Sequence, residues 1–356
     1  VPKRHRRADM GRLVIAGGGT GGHLYPGIAV AEYAEQFGVE SFFMVSKRGL
    51  ERKVLTPLGY SFYEQSEVPL NGVSTLRKIK SVFLLMKEIT KCYFLLKKDD
   101  VLLLTGGFAA AAPALVGNMK GVKMYLHEQN SVMGLTNKKF AKGCEKVFLS
   151  FPETKGAVGN TMVTGNPVRD AFTGKEPKEE MGKKILVLGG SQGSRFVNNL
   201  VAESAQKLLD GGFTIKHQTG GKLYDETIEK YEMMNLKPND ALEVSGYIDD
   251  VAKELEEADI VIARSGSGTV FEVMNSKRLA VYVPFASAAD NHQLFNAKFA
   301  EDEGVAKVLE ENDAKPEALI GMVKSFANNY DSYKTSLRKV KTYESAKLIA
   351  GGMNIG

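Results

Sequence analysis

One local plan occurs twice in this chain: "RLVIAGGGTGGH" at residues 12–23 and "KILVLGGSQGSR" at residues 184–195 each run an apolar strand through a glycine-rich turn into a helix. After a buried strand, glycine lets the backbone turn sharply and brings main-chain N–H groups against a ligand with no Cβ in the way. The helix that follows aims its unpaired N–H groups and partial positive charge at the same spot. Short apolar runs alternating with helical patterns follow each opening. Strands are expected at 13–16, 41–45, 101–104, 123–126 and 146–149, and after the restart at 185–188, 214–217, 241–244, 260–263 and 280–283. Such alternation predicts parallel sheets covered by helices on both faces. Its restart predicts an α/β chain of two Rossmann-like, doubly wound domains whose glycine loops face one cleft.

A length of 356 residues suffices for two cores. The stretch "GNPVRDAFTGKEPKEEMGKK" at 165–184, rich in turn formers and charge, reads as the joint, giving an N-terminal domain over 10–168 and a C-terminal domain over 169–332. A last helical pattern at about 333–350 has no strand after it and is expected to pack back on the first domain. Residues 1–9 read as an arm or tag remnant, with Met10 as the expected natural start. Cys92 and Cys144 are far apart and fit neither a metal knuckle nor a redox pair, as suits free thiols in a reducing cytoplasm. Charge is uneven: residues 1–170 hold 24 Lys+Arg against 14 Asp+Glu, a net +10, and the remainder is net −5. A basic first half suits an anionic partner.

Phosphate is the ligand such glycine loops suit, and two loops suggest two phosphorylated substrates. Gly17, Gly19 and Gly22 alone satisfy a dinucleotide fingerprint, with Lys47 and Arg48 placed to grip a ribose phosphate. Against nicotinamide, the strand at 42–45 ends without the acidic residue that holds an adenosine ribose, and His23 and Pro26 are foreign to a cofactor turn. A third glycine turn, "LTGGFAAAAP" at 104–113, also follows a strand. In "YLHEQNSVMGLTNKK" at 125–139, His127, Glu128, Gln129 and Asn130 form a polar row that could read sugar hydroxyls or cap a helix. "VIARSGSGTVFE" at 261–272 sets Ser265 to Thr269 at another anion-binding helix start, with Glu272 one turn later able to accept two bonds from a ribose diol. "DNHQLFNA" at 290–297 adds Asp290, His292, Gln293 and Asn296. No D-x-D sequence occurs, so no metal is implied at a nucleotide diphosphate, and no cofactor is called for.

Taken in order, "GGGTGGHLYPGIAVAE", "HEQNSVMGLTNK", "TGNPVRD", "GGSQGSR", "RSGSGTVFE" and "DNHQLFNA" resemble the MurG family of cell-wall N-acetylglucosaminyltransferases, over residues 17–297. The resemblance implies the GT-B fold and transfer of N-acetylglucosamine from UDP-N-acetylglucosamine to the undecaprenyl-pyrophosphoryl-muramyl-pentapeptide acceptor, with inversion to a β-1,4 link. It implies His23 as the general base. Here the residues agree, because a hydroxyl nucleophile needs a proton acceptor and imidazole suits neutral pH. By the same resemblance Thr20, Gly21 and Gly22 meet the acceptor pyrophosphate and the transferred sugar. Arg169 and Ser191 lie near the donor phosphates, Ile248 packs on uracil, and Ser267, Gly268 and Thr269 hold the phosphates. Glu272 holds the ribose, and Gln293 and Asn130 hold the sugar. The alanines of "GGFAAAAP" and His292 in "DNHQ" depart from the family pattern.

The stretch "STLRKIKSVFLLMKEITKCYFLLKK" at 74–98 carries seven Lys+Arg and one acid among apolar residues at helical spacing. It suits lying on an anionic membrane surface, so a peripheral enzyme at the cytoplasmic face of the membrane is expected. No apolar run is long enough for a spanning helix, and aromatic residues are not interleaved as nucleic-acid stacking requires. An oxidoreductase using NADP, and a UDP-N-acetylglucosamine epimerase or UDP-sugar-binding protein of the same fold, are the other readings of these residues.

Overall fold

The computed structural model describes residues 11–47, 49–66, 75–190 and 192–356, with side chains omitted for 75–82. The arm at 1–9, Arg48, Ser191 and the side chains of Arg77, Lys78 and Lys80 therefore lie outside the described residues. By contact density the chain divides into two compact units, residues 1–169 with 343–356, and residues 170–342.

The first unit is built on seven parallel strands: β1 (Leu13–Gly17), β2 (Ser41–Ser46), β3 (Ser61–Gln65), β4 (Val101–Gly106), β5 (Lys123–Glu128), β6 (Lys146–Leu149) and β7 (Thr161–Val163). Their order across the sheet is β3-β2-β1-β4-β5-β6-β7. The helices of this unit are α1 (Gly21–Glu35), α2 (Leu50–Leu55), α3 (Thr75–Leu95), α4 (Ala111–Lys120) and α5 (Leu135–Phe140). Alternate residues of the buried strands feed two cores, because successive side chains point to opposite faces. Leu13, Ile15, Phe43, Val45 and Leu103 pack with Leu24 and Ile28 of α1. On the other face Val14, Met44, Leu102 and Leu104 pack with Cys92 and Leu96 beside α3 and with Ala114 and Val116 of α4.

The second unit repeats the plan with six strands: β8 (Lys184–Leu188), β9 (Thr214–Gln218), β10 (Leu242–Ser245), β11 (Ile260–Ala263), β12 (Leu279–Tyr282) and β13 (Ala306–Val308), in the order β10-β9-β8-β11-β12-β13. Its helices are α6 (Arg195–Asp210), α7 (Tyr224–Met233), α8 (Val251–Glu257), α9 (Ser267–Asn275), α10 (His292–Asp302), α11 (Pro316–Asn328) and α12 (Tyr330–Lys339). The final helix, α13 (Ser345–Gly352), is part of the first unit, with Ile349, Ala350, Met353 and Ile355 in its core. The single helix expected over 333–350 is thus two. Val340, after α12, takes up an extended conformation, and its carbonyl accepts a bond from Lys277 Nζ in the second unit. Tyr343 lies against Gly165 in the first unit.

Three strands escaped the sequence reading: β3, β7 and β13. All three lie at sheet edges. Their residues are only partly covered, so they lack the continuous apolar run of a strand buried on both faces.

Both sheets reverse their strand order once, between β1 and β4 and between β8 and β11. Open α/β sheets bind ligands at the carboxyl ends of the strands beside such a switch point. The loops after β1 and β4, and after β8 and β11, hold the glycine and serine motifs.

Candidate active site

In the first unit the loops after β1 and β4 touch. A Cβ on Gly17 would fall 2.0 Å from Thr105 Oγ1, and one on Gly107 would fall 2.5 Å from the Gly18 carbonyl. Gly106 and Gly107, at φ +93° and +73°, wrap the two edges of the His23 ring, so that added methyls would meet Cε1 and Cδ2 at 3.3 Å. The third glycine turn is therefore the wall of the imidazole site. His23 stands in the first turn of α1, behind Thr20, Gly21 and Gly22. Thr20 is exposed and occupies the cap position without a side-chain capping bond.

His23 Nδ1 lies 2.9 Å from the Thr105 carbonyl. A carbonyl only accepts, so Nδ1 carries the proton and Nε2 keeps its lone pair. Gln129 fixes the arrangement: its Nε2 donates to the same carbonyl at 2.8 Å, which turns its Oε1 toward His23 Nδ1 at 3.1 Å. Gln129 Nε2 also donates to His127 Nδ1 at 3.1 Å. The proton of His127 therefore sits on Nε2, 3.0 Å from Ser150 Oγ, and that hydroxyl donates to Asn166 Oδ1 at 3.3 Å. Burial, partly offset by a bond to the Gly165 backbone, pushes the His127 pKa down to about 3.

Glu128 braces the loop after β5. Its Oε1 accepts from Asn130 N–H at 3.0 Å, and its Oε2 accepts from Gly134 N–H at 3.0 Å and Asn137 Nδ2 at 2.7 Å. Of the two readings of the polar row, the structure favours bracing by protein partners for three residues: His127, Glu128 and Gln129 are buried and spent on such partners, and Asn130 alone is partly exposed. Sequence reasoning passed over Gln129 as an orienter of His23, since the two are joined only by the fold.

A further carboxylate, also missed from the sequence, underlies the loop after β1. Glu51 Oε1 accepts from Gly19 N–H at 2.6 Å and from Ser46 Oγ at 2.6 Å. One donor that the phosphate reading of this loop relies on is therefore directed into the protein.

In the second unit the loop after β8 has Gly190 and Gly193 at φ +78° and +77°. It ends at Ser194, whose Oγ caps α6 by accepting from Val197 N–H at 3.4 Å. Arg264, directly after β11, donates to the same hydroxyl from Nε at 3.0 Å and to the carbonyls of Val283 and Pro284 at 3.0 and 3.1 Å. Its guanidinium pairs with Glu311 at 2.6 Å. This one side chain, not picked out in the sequence, ties together the loops after β8, β11 and β12.

Ser267, Gly268 and Thr269 form the first turn of α9, whose cap position, Gly266, offers no side chain. Their main-chain N–H groups are the ones a helix cannot pair internally. Glu272 follows one turn later and is partly exposed. Gln293, at the start of α10, is drawn to this place: Ser265 Oγ donates to its carbonyl at 2.8 Å, and its own Oε1 accepts from Phe285 N–H at 3.0 Å. The group it can offer a ligand is its Nε2 donor. Before it, Asp290 and Asn291 adopt left-handed conformations at φ +51° and +53°, the sort of local strain that collects at ligand sites. Ile248 is buried in the loop after β10, at the edge of the same sheet end. Arg169 is exposed at the end of the first unit's main stretch.

α3 presents two faces. Leu85, Glu88, Ile89 and Cys92 turn inward, while Phe83, Met86 and Phe94 are 69 %, 59 % and 81 % exposed among Lys87, Lys91, Lys97 and Lys98. Among the described residues, no helix is long and apolar enough to cross a membrane.

Residues 13–149 match the glycosyltransferase family 28 N-terminal domain, and residues 184–350 match the glycosyltransferase family 28 C-terminal domain. A Geotalea daltonii protein named UDP-N-acetylglucosamine–N-acetylmuramyl-(pentapeptide) pyrophosphoryl-undecaprenol N-acetylglucosamine transferase is 33 % identical, over 96 % of this chain and 97 % of its own length. The crystal structure of Acinetobacter baumannii MurG is similar at a TM-score of 0.76 and 27 % identity, covering 96 % of this chain and 99 % of that one. The UDP-GlcNAc 2-epimerase of Neisseria meningitidis, solved with UDP-GlcNAc bound, shares the fold at a TM-score of 0.67 and 12 % identity, covering 98 % and 100 %. Two doubly wound parallel-sheet units of this kind make the fold GT-B. With both domains of the family matched and a relative one-third identical along nearly its whole length, the chain belongs to glycosyltransferase family 28, in its MurG family of N-acetylglucosaminyltransferases.

Proposed function

We propose that this chain transfers N-acetylglucosamine from UDP-N-acetylglucosamine to the lipid-linked muramyl-pentapeptide of peptidoglycan synthesis, with His23 as the general base. The observation that carries the base assignment is the His23 tautomer, with Nδ1–H committed to the Thr105 carbonyl and Nε2 left as the acceptor. The muramyl C4 hydroxyl gives its proton to Nε2, and its oxygen attacks C1 of N-acetylglucosamine. The bond from C1 to the UDP oxygen breaks, and its electron pair leaves with the β-phosphate. A single displacement inverts the α-linked donor to a β-1,4 product. The imidazolium that forms is supported at Nδ1 by two acceptors, Thr105 O and Gln129 Oε1.

The donor is read in the second unit. Ser267, Gly268 and Thr269 present N–H groups to the phosphates at the start of α9. A helix terminus of this kind stabilises the negative charge that grows on the leaving group without a metal. Glu272 takes the ribose hydroxyls, Ile248 the uracil, and Gln293 and Asn130 the sugar. Arg169 and Ser191 approach the phosphates, and Thr20, Gly21 and Gly22 meet the acceptor side. The enzyme works as a peripheral protein on the cytoplasmic face of the membrane. Support for this comes from the exposed Phe83, Met86 and Phe94 among lysines. Replacing Arg77, Lys78 and Lys80 by glutamate is expected to weaken binding to anionic vesicles at low salt, and unchanged binding would refute the membrane assignment.

Radiolabel transfer from UDP-N-acetylglucosamine to the lipid-linked acceptor in excess EDTA tests the activity. Product is expected. Its absence while UDP still binds would move the assignment to a UDP-sugar epimerase or binding protein.

A further inference from the structure

Two tyrosines of the second unit are fully buried, and they differ at the hydroxyl. Tyr231 is bonded to His217 Nδ1 at 2.8 Å. The Tyr282 hydroxyl, equally shut off from solvent, meets no hydrogen-bond partner among the described residues. A phenylalanine would fill the same space without burying a polar group, so an orphan of this kind calls for a role. Tyr282 ends β12 in register with Ala263 at the end of β11, from which the chain passes into α9. α9 in turn packs on β12. The backbone fixes the base of the ring on both sides: Val283 N–H donates to the Ala263 carbonyl and Leu309 N–H to the Tyr282 carbonyl, each at 2.9 Å. Burial first, and the charge of Glu272 on α9 second, push the phenol pKa up, so the hydroxyl keeps its proton within the field of that carboxylate. Glu272 is itself partly exposed, within reach of a ligand.

We propose that Tyr282 is a positioning residue for the donor: its buried hydroxyl donates to the Glu272 carboxylate when that group takes the ribose diol, and so sets the direction in which the carboxylate accepts. An ionised carboxylate has about four acceptor positions, enough for two ribose hydroxyls and one phenol. A donor that is itself fixed in the core orders a side chain which would otherwise lose rotamer freedom on binding. The hydroxyl thereby finds in the nucleotide complex the partner it lacks without it. This rests on the Glu272 assignment given under the proposed function.

The test is calorimetric titration of UDP and of 2′,3′-dideoxyuridine diphosphate into the full-length chain, with melting temperatures, for Tyr282→Phe, Glu272→Ala and the double variant. Tyr282→Phe is expected to bind UDP about fivefold more weakly, to bind the dideoxy nucleotide as the wild type does, and to melt no lower than the wild type. In the Glu272→Ala background the same substitution is expected to leave UDP affinity where it is. Unchanged UDP affinity in Tyr282→Phe, while Glu272→Ala loses affinity, overturns the proposal. So does an equal loss for both nucleotides, which marks a packing defect and not a bond made through the ribose. Undiminished UDP affinity in Glu272→Ala overturns the donor assignment itself, and the proposal with it, so the two failures are told apart.

Discussion

The loops after β1 and β8 hold the same place in two sheets of the same strand order, yet they are secured by opposite means. In the first unit the neighbouring segment after β2 sends up a side chain, Glu51, whose carboxylate accepts the Gly19 N–H. In the second, the segment after β9 packs its backbone against the loop: Gly220, at φ +85°, lies so close that a Cβ on it would fall 2.4 Å from Gly193 Cα. One loop is thus braced by a buried carboxylate, and the other by close backbone approach and by Arg264, which bonds the Ser194 at its end. The first loop spends one main-chain donor, the Gly19 N–H, inside the protein. A shared strand order accordingly leaves the bracing of each loop to the few residues beneath it.

The sharpest division between the halves is chemical. His23→Ala is expected to lower kcat by about 10³-fold, in the range of a lost general base, while UDP affinity is unchanged. A comparable loss of UDP binding would show that the two half-sites do not divide the work as described. Next in size is Gly220→Ala, which sets a methyl against Gly193 at a left-handed position and should cost about 2–3 kcal/mol in denaturant unfolding. Gly190→Ala, in the same loop with nothing within 4 Å of the added carbon, should cost only about 1 kcal/mol. Equal costs would mean that close backbone approach is not what holds this loop.

Acid should act on both units alike, since each buries one histidine in the neutral form. Burial pushes the pKa of His127 and of His217 down to about 3. The unfolded chain takes up these protons first, near its ordinary value of about 6.5. Stability is therefore full above that pH and falls as pH drops toward 3, by about 1.4 kcal/mol per unit for each histidine. Asn198 and Tyr231 hold His217 at 3.1 and 2.8 Å, so His217→Gln should flatten the acid slope by one histidine's share in melts run from pH 7 to 4. The smallest effect is reserved for Ser46→Ala. It removes one of two bonds to Glu51 and should cost about 1 kcal/mol, leaving UDP affinity untouched.

The sequence was most readable where burial is most complete. Strands such as β1 and β4, covered on both faces, show as unbroken apolar runs, whereas β3, β7 and β13 at the sheet edges do not. The glycine loops were legible because a strand-to-helix turn crowded with glycine suits a ligand held close to the backbone. Gln129, Glu51 and Arg264 were not, as each acts on a partner 32 to 106 residues away. Nothing in their local sequence separates such a residue from an ordinary polar one. The row at 127–130 stayed open between a sugar and a cap for the same reason: polar side chains at a strand end look alike whether they face a sugar or one another.

The return of the chain end to the first unit has a consequence for biosynthesis. Ile349, Met353 and Ile355 complete a core that begins at Leu13, and Gly352 leaves room for the Phe148 ring, which an added Cβ would meet at 2.5 Å. On the ribosome the half made first is therefore the last to be finished, because its sheet waits for residues translated after the entire second unit. Any nascent chain that stops early carries a second unit complete in sequence and a first unit with an apolar face still open, a natural handle for chaperones and proteases.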